Sequence, residues 1–181
     1  MYDYIRYCSP LGLLTIAAEG DVLTALVMEK QKYADRHLAG EGRECETPVL
    51  HMAKCWLDDY FAGENPVLSA LPLSPRGTAF QQAVWQELKK IPYGETDSYG
   101  AIASRLGSSA RAVGSAVGRN PISILIPCHR VLAADGSLTG YAGGLENKEK
   151  LLRLEGAWDC MKSRPAPCPG IPRDQGSQSC I

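Results

Sequence analysis

A chain of 181 residues, 45% hydrophobic and 22% charged, has ordinary globular composition and enough length for a sizeable core. Nineteen basic against 20 acidic residues leave a formal net charge of −1. That balance excludes a protein coated in positive charge and the highly charged, apolar-poor class of disordered chains. No apolar run is long enough to span a bilayer, and the short one at 11–17 has neither a basic leader nor a cleavage site.

The first 30 residues alternate as strands do, over Tyr2–Tyr7, Leu13–Ala17 and Val22–Val27, with Ser9-Pro10 and Glu19-Gly20-Asp21 at the turns. Thr47-Pro48 caps a predicted helix with Leu50, Ala53, Leu57, Tyr60 and Phe61 at helical spacing, closed by Gly63. A small α/β lobe over residues 1–73 follows, its apolar stripes serving as core with no chemistry assigned. The connection Leu71-Pro72-Leu73-Ser74-Pro75 leads to a second domain over 76–157, opening on a capping box at Thr78-Ala79-Phe80-Gln81 and a helix carrying Phe80, Val84 and Leu88.

From Ser98 to Ala134 the chain contains no Asp or Glu, yet Arg105, Arg111, Arg119 and Arg130 all fall inside. By contrast, residues 1–75 hold 6 basic and 11 acidic groups. One acid-free, arginine-bearing segment in a near-neutral protein points to a local polyanion contact. The segment reads as two short helices. Ser98 caps the first, with Tyr99, Ile102, Ala103 and Leu106 on one stripe and Gly107 at the C-terminal position that favours glycine. Ser108 or Ser109 caps the second, which runs from Ala110 to Val117 and ends near Gly118 and Asn120-Pro121. This is the helix-turn-helix outline. The second helix is built of Ala, Gly and Ser with one long cation, Arg111. It is slim enough to lie against a narrow minor groove and push that arginine into a base stack, although a helix built for close packing inside the protein has the same composition.

The apolar run Ile124-Leu125-Ile126 then meets Pro127, followed by Cys128, His129, Arg130 and Val131. Proline stiffens the corner, so Cys128 is expected at a fixed bend beside a buried strand. A thiol with an ordinary pKa of about 8.5 is only a few per cent ionised at neutral pH, and a neighbouring base or cation raises that fraction. His129 and Arg130 are groups of that kind. Asp135-Gly136 marks a hairpin turn, and Leu145 to Leu154 reads as the last helix. Residues 158–181, rich in Pro, Gly and Ser, are expected to form a disordered tail. Seven scattered cysteines without a CxxC pair point to a reducing compartment.

These motifs resemble the O6-alkylguanine-DNA alkyltransferases, the methylated-DNA–protein-cysteine methyltransferases. The likeness rests on Ile126-Pro127-Cys128-His129-Arg130-Val131, Ser98-Tyr99, Ala110-Arg111-Ala112-Val113-Gly114, Asn120-Pro121, Tyr141-Ala142-Gly143-Gly144 and Glu155-Gly156. It is strongest from Phe80 to Gly156 and weaker from Tyr7 to about Leu73. It implies a ribonuclease-H-like α/β N-terminal lobe and a mostly α C-terminal domain with a winged-helix-like helix-turn-helix. It further implies that Cys128 accepts the alkyl group from O6 of guanine, or less readily O4 of thymine, in double-stranded DNA, and keeps it. His129 would act as base through a water, Glu155 would orient it, Tyr99 would donate to the leaving base and Asn120 would brace the turn. Arg111 would fill the gap left by the flipped nucleotide. Ala110, Ala112 and Gly114 would lie along the groove, and Val131, Tyr141 and Ala142 would line the base pocket. Ala142 stands where some relatives carry a serine, leaving only its backbone amide to touch the base.

No cofactor is expected. Some relatives hold a structural zinc, but Cys8, His37, Cys45 and His51 do not match a zinc spacing, so no metal is expected either. A monomer in the cytoplasm, or in the nucleus of a eukaryote, completes the expectation. Two rival classes are a module that binds alkylated DNA without transfer, which would lack the reactive cysteine, and a cysteine hydrolase, which would leave the acid-free segment unexplained.

Overall fold

The computed structural model describes residues 1–158; the expected tail lies outside the described residues, except for Trp158. The N-terminal lobe is built on three strands, β1 (Tyr2–Ser9), β2 (Gly12–Glu19) and β3 (Val22–Met28), joined as antiparallel hairpins. A four-residue helix, α1 (Ala34–His37), and a short strand, β4 (Gly42–Glu44), follow. β4 pairs parallel to β1, giving the sheet order β3-β2-β1-β4. Opposed Ile5–Ile16 and Tyr7–Leu14 set the register that sends one face into the core. Helix α2 (Pro48–Phe61) packs on that face through Leu50, Ala53 and Leu57, all fully buried. Pro48 occupies the first turn as expected, but the Thr47 hydroxyl makes no cap bond.

The C-terminal half contains α3 (Ala79–Lys89), a two-residue strand β5 (Asp97–Ser98), α4 (Tyr99–Arg105), α5 (Ala110–Val117), a second two-residue strand β6 (Val131–Leu132) and α6 (Leu145–Leu154). Three of its four helices, α3, α4 and α5, start on a side-chain cap. Thr78 and Gln81 exchange both bonds of a capping box, Ser98 Oγ accepts from Ala101 N at 3.1 Å, and Ser109 Oγ accepts from Ala112 N at 3.2 Å. Between α4 and α5, Gly107 adopts φ 59°, a left-handed conformation that reverses the chain without side-chain strain. Trp85 Nε1 donates to Ala116 O at 3.0 Å and pins α3 against α5.

The exposed edge of β3 joins the two halves. Pro72 O and Pro121 O accept from Leu23 N and Leu26 N at 2.8 and 2.9 Å, while Ser74 N and Ser123 N donate back to Leu23 O and Leu26 O. The interdomain connection and the segment leading to Cys128 thus cover an edge that would otherwise be free to aggregate. One continuous apolar cluster runs from Ile5 and Ile16 through Val84, Val113 and Ile126 to Leu151. The lobes share a core, and the thiol sits within it.

Candidate active site

The segment before Cys128 is not a strand. Asn120, itself buried, replaces the ladder with its side chain: Oδ1 accepts from Ile122 N at 3.0 Å, and Nδ2 donates to Ile126 O at 2.8 Å. Leu125 N bonds to Ser123 O across Ile124, whose φ of 69° is the strained, left-handed form of a three-residue turn. Cys128 N bonds to Ile126 O at 2.7 Å across Pro127, at φ −79° and ψ 65°, an inverse γ-turn. Two consecutive tight turns therefore deliver the cysteine onto the single turn Cys128–Arg130.

Cys128 is 3% exposed, and its Sγ accepts from Asn120 Nδ2 at 3.1 Å. Burial pushes the thiol up; the Asn120 amide and the Lys148 ammonium oppose that by favouring the thiolate. His129 is fully buried, and its Nε2 lies 2.8 Å from Glu155 Oε1. Burial lowers its pKa, Glu155 opposing only in part, so the ring is neutral at pH 7 and Nε2–H donates to the carboxylate. Its Nδ1 has no hydrogen-bond partner among the described residues. Burial alone would raise Glu155, but His129 and Arg130 hold it well below the usual carboxylate range. Glu155 Oε1 also accepts from Tyr60 OH at 2.6 Å and Arg130 Nη2 at 2.9 Å, and Oε2 accepts from Arg130 Nε at 2.8 Å. Arg130 therefore faces Glu155, with its third bond to Ile91 O at 2.7 Å, and acts on the thiol only at a distance.

Lys148 is the residue that sequence reasoning missed. It is fully buried on α6, donating to Val131 O at 2.6 Å and Thr139 O at 2.8 Å. Burial brings its pKa down to about 8, with Cys128 opposing. Its position is readable in retrospect: Lys148, Leu151, Leu152 and Glu155 fall at helical spacing on one buried face, which leaves two opposite charges on an apolar stripe. Tyr60, from α2, gave no such signal because its partner lies 95 residues away.

Next to these residues, which do not themselves line it, opens a pocket of about 660 Å³ lined by Tyr99, Ala110, Gly114, Tyr141 and Ala142 and, from the N-terminal lobe, Tyr33. Tyr99 and Tyr141 both feel the charge of Cys128. Tyr99 OH donates to Thr139 O and Gly140 O, both at 3.1 Å; burial and the neighbouring Cys128 push its pKa up to about 12. Tyr141 OH is sealed from solvent without a hydrogen-bond partner among the described residues. A Cβ on Gly143 would collide with Met28 Sδ and the Tyr141 ring, so a larger residue here would have to displace the buried Met28 side chain or lift the loop off the sheet. The main chain ties the same loop down, Lys32 N donating to Ala142 O at 3.1 Å.

The sequence-predicted residues thus fall into three groups. Asn120 with Cys128 and His129 with Glu155 form two buried hydrogen-bonded pairs on consecutive residues of the active-site turn, and Val131 meets Lys148 through its carbonyl. Tyr99, Ala110, Gly114, Tyr141 and Ala142 line the pocket. Arg111 stands exposed on the first turn of α5, with Ala112 beside it. Of the four arginines in the acid-free segment, Arg105 pairs with Glu87 and Asp97, and Arg130 with Glu155. Arg111 and Arg119 have no carboxylate partner among the described residues. No three metal-ligating side chains converge among the described residues, and His51 instead contacts Glu46 and Cys55.

A buried thiol next to a histidine–glutamate pair, beside a pocket walled by a helix-turn-helix, defines a cysteine-nucleophile protein with a nucleic-acid-type domain. Residues 2–75 match the 6-O-methylguanine DNA methyltransferase ribonuclease-like domain, and residues 79–157 match the DNA binding domain of the same family. The methylated-DNA–protein-cysteine methyltransferase of Haemophilus influenzae is 47% identical over 84% of this chain and 85% of that protein. The protein of the same name from Methanosarcina acetivorans is 56% identical over 85% and 98%. The crystal structure of the Mycobacterium tuberculosis O6-methylguanine methyltransferase superposes with a TM-score of 0.75 at 46% identity, covering 87% of this chain and 94% of that one. That of Mycobacterium tuberculosis OGT in complex with DNA gives 0.75 at 45% identity, covering 86% and 93%. The chain belongs to the 6-O-methylguanine DNA methyltransferase family.

Proposed function

We propose that the protein repairs DNA by moving a methyl or larger alkyl group from O6 of guanine, less readily from O4 of thymine, onto Cys128. The observation that carries this reading is the placing of the Asn120–Cys128 and His129–Glu155 pairs beside a pocket walled by α4 and α5. Extruding a base costs a few kcal/mol, and Arg111, entering the stack from the first turn of α5, offsets part of it. A water between Cys128 Sγ and His129 Nδ1 carries the thiol proton to the imidazole, whose positive charge Glu155 then balances. The thiolate forms an S–C bond as the C–O6 bond breaks, and the electron pair leaves with the guanine. Tyr99 OH swings from the Thr139 and Gly140 carbonyls to donate to the departing base. Lys148, near the sulfur, favours its negative charge throughout.

A thioether has no leaving group that water can displace, so the protein acts once. No cofactor or metal takes part. The two working parts are residues 1–73 and 76–157, in a monomer acting in the cytoplasm, or in the nucleus of a eukaryote. No helix among the described residues is long and apolar enough to cross a membrane. The test is incubation with duplex DNA bearing O6-methylguanine, followed by mass analysis of the peptides. One methyl on the Cys128 peptide is expected. Tight binding with no mass change would indicate a binding module, and ester turnover a hydrolase.

A further inference from the structure

Three cations without an ion-pair partner among the described residues meet at one aromatic ring. Lys32, Arg36 and Arg119 direct their charged groups at the ring of Tyr33, 5.1, 5.6 and 5.9 Å from its centre. Beside them lies a hollow of about 370 Å³ lined by Tyr33, Arg36, His37, Arg76, Gln81 and Arg119. Arg76 is neutralised by Glu19. Lys32, Arg36 and Arg119 have no carboxylate within ion-pair distance among the described residues. One ring offers three cations only weak compensation. A concave site where like charges meet without a counter-ion is built for an anion.

Where the hollow lies says which anion. Arg119 lies just past Gly118, the C-terminal cap of α5, and Tyr33 lines both the hollow and the pocket beside Tyr99 and Tyr141. The two cavities therefore share a wall. The N-terminal lobe is otherwise acidic, yet three of its 6 basic residues, Lys30, Lys32 and Arg36, fall within positions 30–36. That segment is held in shape at a cost, since Lys30 and Tyr33 both adopt left-handed φ values, 63° and 69°. It is also tied to the pocket loop by Lys32 N to Ala142 O.

We infer that this hollow seats a backbone phosphate of the DNA duplex next to the flipped nucleotide, so that the N-terminal lobe grips the substrate jointly with α5. The inference rests on the function proposed above. Arg36 supplies a planar fork from the N-terminal side and Arg119 another from the end of α5, a pairing suited to phosphate oxygens.

The test compares Arg36→Ala, Arg119→Ala and the double variant with Arg6→Ala, which removes one positive charge outside the hollow. Binding to unmodified duplex is measured across salt concentration, and methyl transfer from free O6-methylguanine to Cys128 is the reference that normalises for folded protein. Each lost phosphate contact lowers the slope of log affinity against log salt by about 0.9. We expect the double variant to lose about 1 to 2 from that slope and to bind duplex about tenfold more weakly near 0.1 M salt, with Arg6→Ala close to wild type. Variants that keep the wild-type slope, or that lose no more than Arg6→Ala, overturn the hollow as a phosphate seat while leaving the transfer function standing. Wild-type protein that does not bind duplex overturns both.

Discussion

Glu155→Gln is the substitution whose consequences follow most directly from the geometry. The carboxylate accepts four bonds: from His129, Tyr60 and two nitrogens of Arg130. An amide of the same shape has one acceptor oxygen. Its nitrogen must then face either Arg130 Nε or the His129, Tyr60 and Arg130 Nη2 donors, so at least one contact near 2.8 Å becomes donor against donor. Arg130 is also left buried without its counter-charge. Breaking one side of a buried ion pair costs about 3–5 kcal/mol, a large share of the roughly 5–15 kcal/mol that holds a domain folded. At about 2–4 °C per kcal/mol for a chain of this size, the melting temperature should fall by about 6–20 °C. Tyr60→Phe, which removes one donor and leaves the ion pair, should cost about 1.5–3 kcal/mol. Thermal unfolding by circular dichroism at neutral pH reads both, and rapid-quench transfer to Cys128 reads the loss of an oriented His129. A Glu155→Gln protein with wild-type melting temperature and transfer rate would refute the account of this network.

Three further substitutions have expected outcomes. Lys148→Met removes the cation beside the thiol and should move the pH profile of transfer from free O6-methylguanine to higher pH; an unchanged midpoint would rule out Lys148 as the electrostatic partner of Cys128. The lowered Lys148 pKa, about 8, also means that the unfolded chain binds the extra proton between that value and the ordinary 10.5. This group's contribution to stability therefore rises with pH across that window, so Lys148→Met should flatten the dependence of denaturant stability on pH there. Asn120→Ala strips the brace from two tight turns and leaves buried groups unpaired, which should cost about 2–4 kcal/mol in urea unfolding. Arg111→Ala should slow repair of duplex far more than reaction with the free base, equal losses counting against its role in the stack.

What the sequence made legible was local. Capping residues Thr78, Ser98 and Ser109 each bond within three residues, and the alternation of β1 to β3 is visible without tertiary context. Gly107 and Gly136 sit at left-handed turns where the pattern demanded them. The run Ile124-Leu125-Ile126 reads as a strand because an apolar run looks the same however its backbone bonds are met. Here they are met by the Asn120 amide and by short turns, with β3 holding only the residues just before the run. Arg130 looked like an activator of its neighbour in sequence, yet its partner is 25 residues away. Tyr60 was assigned to core and is core, but its hydroxyl also completes the Glu155 shell. Pairings across the fold, not residue types, were the hidden part.

The central claim is that one sulfur takes one alkyl group and never releases it. Wild-type protein mixed with a tenfold excess of duplex containing O6-methylguanine should gain a single methyl per chain, on the Cys128 peptide, and repair one equivalent of lesion and no more, even after fresh substrate is added. Repair that continues past one equivalent, or a methyl found on any other residue while Cys128 stays free, would contradict the account.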